Sequence, residues 1–386
     1  MPQGPSRDAR EQKDPKSGGR SHRQEQEPAS EEVTEVGRGL LRMQLPIWMP
    51  GLGHVNCYAI LDDDGAVLVD PGLPTAGSFR ALESRLRQAQ LRVEDVHTVI
   101  VTHSHPDHFG GAARVIDRSG AKLVAHRSFA LGFTKPEKPE VSVDDLDAHA
   151  HAECGHALEA GVERERAREP FTPERPKWSA KTPWGGEAPR PPFRMRMRFA
   201  VMRLLGRAMR FPTITSPALG GDVLELAGRE FFVVHTPGHT EDHICLHDPA
   251  EEIFLAGDHV LPSITPHISG MTRNPDPLQA FFDSLDRAAE IPHVSQVLPA
   301  HGHPFDDLAE RCAAIKRHHD ERLERIRAIA KELGPANVEA FMQRLFKERS
   351  WGGMAASETY AHLEHIRLLG DAEARRDAQG ALVYEI

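Results

Sequence analysis

Apolar positions are almost absent from residues 1–38, then recur in short blocks from about Leu40 onward. A segment so poor in apolar side chains buries too little surface to offset the entropy of ordering, so residues 1–38 read as a disordered tail. NCYAIL (56–61) and AVLVD (66–70) flank Asp62-Asp63-Asp64-Gly65 and predict a hairpin with an Asp-Gly turn. Phe79, Leu82, Leu86 and Leu91 recur at helical spacing, HTVIVT (97–102) reads as a strand, 110–120 as a short helix ending at a glycine, and AKLVAH (121–126) as another strand. This alternation predicts an α/β fold with helices covering sheets. Residues 128–218 break the rhythm with a proline-rich stretch and read as an insertion folded over a body spanning 39–305. Strand patterns return at 222–228, 229–236, 243–248 and 252–258, followed by a helix at 278–291 and a strand and loop at 295–301. In 306–386 strands give way to helices at 306–333, 337–346 and 356–370, then two short strands about Asp377-Ala378-Gln379-Gly380; helix, helix and hairpin outline a winged-helix-like C-terminal domain.

Composition narrows the function classes. No run approaches the ~18–20 apolar residues of a membrane span, and residues 1–38 lack the apolar core of a secretory signal. The 386-residue chain has only four cysteines, too few for a disulfide framework, so a cytoplasmic location is the default. With 57 acidic against 47 basic residues, the formal charge of −10 argues against a nucleic-acid coat, while a local basic patch keeps such a partner open. The unusual figure is 23 histidines.

Four potential metal ligands fall within His103-Ser104-His105-Pro106-Asp107-His108, directly after a buried-looking strand. Two-residue spacing cannot place His103 and His105 on one helical face, but an irregular loop at a strand end can converge them. Four donors in one loop exceed what one ion uses easily, which suggests two ions ~3.5–4 Å apart. Asp70, His235 or His239, Asp258 and His301 also follow strand patterns, so one sheet edge could gather them.

H-x-H-x-D-H, TPGHT, GD and PAHG, in this order over roughly residues 40–305, resemble the metallo-β-lactamase superfamily of binuclear metallohydrolases, and within it the glyoxalase-II-like branch. The resemblance implies an αββα sandwich over 39–305, with 128–218 as a helical lid. It assigns His103, His105 and His239 to one metal, Asp107, His108 and His301 to a second, Asp258 as the bridge, and Asp70 to orienting the ligand loop. Two divalent ions, zinc or else iron or manganese, would make a bridging hydroxide at neutral pH. Asp107 would be the catalytic residue that passes a proton to the leaving group. The expected substrate is a small anionic or acyl compound, a thioester or related ester. An RNA endonuclease of the same fold and a mononuclear-iron persulfide dioxygenase are the alternatives.

Weaker signals take the plainer reading. Arg194, Arg196, Arg198, Arg203, Arg207 and Arg210 could grip an anionic substrate or touch a membrane surface, but read first as a solvated helix face that packs on the body or between subunits of a homodimer. His149, His151, Cys154 and His156, like His318 and His319, read as solvent-facing. His54, His126, His259, Thr265 and His267 could line the pocket but read as packing or supporting residues. The tail's last helix offers Arg367 against Glu358 and Glu364, which favours a structural or dimerising module over a DNA reader.

Overall fold

The computed structural model describes residues 23–49, 51–129, 182–185, 197 and 212–386. A seven-stranded sheet runs in chain order: β1 (Val33–Gly37), β2 (Leu40–Pro46), β3 (His54–Asp62), β4 (Gly65–Val69), β5 (Val96–Val101), β6 (Lys122–His126) and β7 (Ser216–Ala218). β1 to β4 pair antiparallel, and β4 to β7 pair parallel. The β3–β4 hairpin forms as expected, with Asp62 opposite Gly65 and Asp63-Asp64 at its tip. Gly65 is required for another reason: a Cβ there would lie 1.9 Å from the Asp95 carbonyl oxygen.

Parallel neighbours need crossovers, and helices supply them. α1 (Ala76–Gln88) joins β4 to β5; its N-cap Thr75 accepts from the Ser78 amide at 3.1 Å. α2 (Pro106–Phe109) and α3 (Ala112–Ser119) lie between β5 and β6. A five-stranded sheet has the order β12-β11-β10-β9-β8, from β8 (Val223–Leu226), β9 (Arg229–His235), β10 (Ile244–Asp248), β11 (Ile253–Gly257) and β12 (Gln296–Pro299). Its one parallel pair, β11 with β12, is bridged by α4 (Pro277–Ala289).

The period of two along the strands sorts side chains into layers. Tyr58, Ile60, Val67, Val69, Ile100, Phe231, Val233, Ile244, Leu246 and Leu255 meet between the two sheets. Their strand neighbours Cys57, Leu68, Val99 and Val101 face away, against Leu82 and Leu86 of α1 and Val115 of α3. Val234, Cys245 and Phe254 face the other way, against Phe281 and Leu285 of α4. Helix, sheet, sheet and helix therefore stack in that order, as the family resemblance implied.

The C-terminal part comprises α5 (Leu308–Leu333), β13 (Ala336–Asn337), α6 (Val338–Leu345), α7 (Gly353–Leu368), β14 (Glu373–Arg376) and β15 (Leu382–Glu385), with sheet order β13-β15-β14. Leu323, Ile326, Phe341, Leu363 and Tyr384 join the same apolar cluster as Val234 and Phe281, so this part shares a core with the outer face of the five-stranded sheet.

Two sequence boundaries need correction. Residues 23–38 belong to the expected disordered tail, yet Gln24–Gln26 form a 3-10 turn and Val33–Gly37 are β1. Polar anchoring replaces the missing apolar burial. Glu25 is fully buried and its carboxylate accepts from Ser263 N at 2.8 Å and Ile264 N at 3.1 Å. Arg85 Nη2 donates to the Ser30 carbonyl at 2.9 Å. The segment 216–218, expected at the end of the insertion, instead extends the larger sheet as β7. Residues 1–22, most of the insertion, the six arginines of 194–210 and the His149–His156 group lie outside the described residues. No helix among the described residues is long and apolar enough to cross a membrane.

Candidate metal centre

β4, β5, β9, β11 and β12 all release their chains at one edge of the sandwich, and the seven anticipated ligands sit just beyond β5, β9, β11 and β12, Asp107 and His108 in the short helix α2 and the rest on loops. They gather into two groups, His103, His105, His239 and Asp258, and Asp107, His108 and His301, with donor atoms in each group within 4.8 Å of one another. Asp258 faces both. Its Oδ2 lies 3.5 Å from His239 Nε2, 3.8 Å from His103 Nε2 and 3.5 Å from His108 Nε2, and its Oδ1 lies 3.2 Å from His301 Nε2. Asp107 Oδ2 stands 3.6 Å from His301 Nε2 and 3.7 Å from His108 Nε2.

The outer hydrogen bonds fix which nitrogen points inward. His108 Nδ1–H donates to Asp70 Oδ2 at 2.8 Å, His239 Nδ1–H to the His267 carbonyl at 2.7 Å, and His301 Nδ1–H to the His54 carbonyl at 2.6 Å. Thr102 Oγ1 donates to Asp70 Oδ2 at 2.7 Å, so it accepts from His103 Nδ1 at 3.1 Å. Each ring thus turns a lone pair at Nε2 toward carboxylate oxygens that are also acceptors. His103 Nε2, His108 Nε2, His301 Nε2, Asp107 Oδ1 and Asp258 Oδ1 are buried and make no hydrogen bond. Acceptors packed against acceptors repel unless a metal ion or a proton lies among them. Without a metal ion, burial opposes protons on His108 and His301, but Asp258 favours them and holds both rings above the ordinary imidazole range. The donor set, imidazole with carboxylate, fits divalent zinc, iron or manganese.

Among themselves the side chains already polarise the site. Burial, with neighbouring His108 and His105, holds His103 well below the ordinary imidazole range, and burial with His239 does the same for His105. Burial opposes ionisation of Asp258, but His301 and His108 outweigh it and hold the carboxyl well below its usual range.

Asp70 follows β4 and accepts three hydrogen bonds: His108 Nδ1–H, Thr102 Oγ1–H and Thr102 N–H, the last at 2.9 Å. Its φ of 55° is left-handed, a conformation that Asp tolerates better than most residues. His54 is buried; its Nδ1–H donates to the Glu27 carbonyl at 2.8 Å and its Nε2 accepts from Gly302 N at 3.1 Å, which clamps the loop bearing His301. His235 lies outside both groups, stacked on His126 with ring centroids 4.1 Å apart. His259 is buried edge-on against Phe281, at 5.2 Å. Thr265 and His267 are partly exposed on the loop after Asp258. His318 is exposed as expected, but His319, expected to face solvent, is fully buried against Phe281 and bonded to His362 at 3.0 Å.

Sequence reading missed three supporting residues. His243, seen only as strand pattern, accepts from Asp258 N at 3.0 Å through Nε2 and donates from Nδ1 to Thr236 Oγ1 at 2.7 Å. Asn56 Nδ2 donates to the carbonyls of Pro299 at 2.8 Å and Gly302 at 3.0 Å. Asp242 accepts from Ser104 Oγ at 3.1 Å, joining the two histidine loops, and burial pushes its carboxyl up to about 6.

Comparison with known proteins identifies the family. A metallo-beta-lactamase family protein from Thermus thermophilus superposes with a TM-score of 0.65 at 27% identity, covering 90% of this chain and 99% of that one. The probable metallo-hydrolase YqjP of Bacillus subtilis is 25% identical over 81% of this chain and 88% of its own length. The hydroxyacylglutathione hydrolase of Hyphomonas neptunium is 32% identical over 25% of this chain. That match, like those to several other curated relatives, spans about a third of the relative's length. The family model of the metallo-beta-lactamase superfamily matches residues 50–301, from the loop before β3 to His301. This chain belongs to that superfamily of metallo-hydrolases.

Proposed function

We propose that the chain is a binuclear metallo-hydrolase of a thioester or related acyl ester. The observation that carries this reading is the convergence of unpaired acceptors on both sides of one shared carboxylate, Asp258. His103, His105 and His239 would hold one divalent ion, Asp107, His108 and His301 the other, with Asp258 between them. Such a pair of ions supplies Lewis acidity, which acidifies a water and polarises the substrate's acyl oxygen. The chain's own residues do the rest. Asp70, His243 and the His54 and His267 carbonyls fix the donors before substrate arrives. Asp107 Oδ1, buried and without a hydrogen-bond partner, would take a proton and return it to the leaving group.

The relative named as a hydroxyacylglutathione hydrolase supports a thioester substrate. A complete second donor group argues against a mononuclear iron enzyme. The C-terminal part, which we read as winged-helix-like, gives little support to RNA cleavage: Arg367, the one Lys or Arg of α7, is paired with Glu364 at 2.7 Å. Cys57, Cys245 and Cys312 are buried free thiols, which suits a reducing cytoplasm. The test is turnover of S-lactoylglutathione, an acyl-CoA, a lactone and a single-stranded RNA oligomer by wild type and Asp107→Ala. Thioester turnover that Asp107→Ala abolishes, with the variant still folded, is expected; RNA cleavage alone would replace the reading.

A further inference from the structure

Within the first donor group, His239 is oriented from a different part of the molecule than His103, which Thr102 and Asp70 hold beside His108. His108 and His301 lean on Asp70 and the His54 carbonyl, both belonging to the seven-stranded sheet and the loops it ends in. His239 leans on the His267 carbonyl, in the loop between β11 and α4. Glu25 and Glu241 hold two stretches of that loop, and the C-terminal helices hold the stretch around His267. Arg311 of α5 donates to the Leu261 carbonyl at 2.6 Å and the Ile264 carbonyl at 2.7 Å. Ser357 Oγ of α7 accepts from Gly270 N at 2.9 Å. Gly270 lies flat on α7: a Cβ there would meet Tyr360 Cδ1 at 2.5 Å and the Ser357 carbonyl oxygen at 2.7 Å. Asp276, at the loop's end, sits 3.0 Å from His365 Nδ1.

Glu358 of α7 reaches the ring of His267. Its Oε2 lies 3.3 Å from the His267 ring Nδ1, and its other oxygen is bonded to Arg322 of α5. Its side chain is only 14% exposed. The ring and the carbonyl of His267 thus have separate partners, α7 on one side and His239 on the other. A residue gripped at both ends transmits the position of one partner to the other.

We propose that Glu358 is a positioning residue for His239, acting through His267, so that the C-terminal part sets cation affinity at the His103–His105–His239 group and not at Asp107–His108–His301. The inference rests on the metallo-hydrolase reading above. Burial pushes the Glu358 carboxyl up, but His267 and Arg322 outweigh it and hold it down at about 2, so the anchor is anionic at neutral pH.

The test uses Co(II) alone as probe, with affinity measured by competition against a chelator and by the visible absorption of bound cobalt. Partners that orient ligating histidines change metal affinity by ~10–100-fold when removed. Glu358→Ala is expected to weaken Co(II) by that factor in a His301→Ala background, where only the first group is intact. It should change nothing in a His239→Ala background. Glu358→Gln, whose oxygen can stay on Arg322 while its amide donates to His267 Nδ1 in the other ring tautomer, should restore most of the affinity, and Gly270→Ala, which forces the loop off α7, should reproduce the loss. Circular dichroism and melting temperature report separately on folding. Equal weakening in both backgrounds would make Glu358 merely structural and overturn the inference, as would unchanged affinity in both. Failure of the wild type to hold two ions would overturn the binuclear reading itself, and is distinguishable because it appears before any Glu358 substitution.

Discussion

Asp70 touches no predicted substrate position, yet three donors converge on its carboxylate. An amide cannot replace it, because Asn presents an N–H to one of three groups that are themselves donors. Asp70→Asn should therefore lower metal affinity by ~10–100-fold despite its near-identical shape. Chelator competition checks this, and wild-type affinity would show that His108 needs no such tether. The candidate ligands are legible because chemistry and spacing coincide: four donors in six residues, and single acids or histidines after strand patterns. Choosing His239 over His235 needs the family likeness. His243 and Asn56 are illegible because their work is done by contacts with residues distant in sequence, Asp258 and Pro299. Nothing in HICLHD or NCYAIL marks one side chain as a clamp.

Single elements follow local rules wherever burial enforces them. The period-two strands can be read because each must face helices on one side and a sheet on the other. Gly257, where β11 ends at the site, shows what a pattern omits: with φ +52 and only 2.7 Å between a would-be Cβ and His243 Nε2, it has no room for a side chain. The turn at 24–26 is illegible for the opposite reason, since a polar chain is ordered by one buried carboxylate rather than by apolar area. Glu25→Ala would strand the amides of Ser263 and Ile264. Leaving buried donors unpaired costs about 1–3 kcal/mol each, so stability should fall by at least that amount. Urea unfolding measures it; an unchanged midpoint would mean the segment is dispensable.

For the molecule as a whole, the order of helices and short strands in the C-terminal part is visible in the sequence, but not its shared core with the five-stranded sheet. Helical periodicity shows that a face is buried and not what buries it. His319 illustrates the difference, since it lies beneath α4 and α7 where solvent was expected. Burial, together with His362 and Arg322, holds His319 at about 2, against the opposing pull of Glu358. Burial also holds His362 at about 4, with Glu358 pulling it up and Arg322 and His365 pushing it down. The unfolded chain protonates both near ~6.5. Below that pH the unfolded state binds more protons, so stability is full above ~6.5 and is lost progressively as pH falls toward 4 and beyond. His319→Leu with His362→Leu should flatten the fall of the urea midpoint between pH ~6.5 and about 4.5, and an unaltered slope would place the acid sensitivity elsewhere.

The central claim is that two cations sit on either side of Asp258. Elemental analysis of purified wild-type protein, beside His301→Ala, tests it most directly. The account predicts about two divalent ions per chain in the wild type and about one in the variant. A single ion in both, or none, would contradict it.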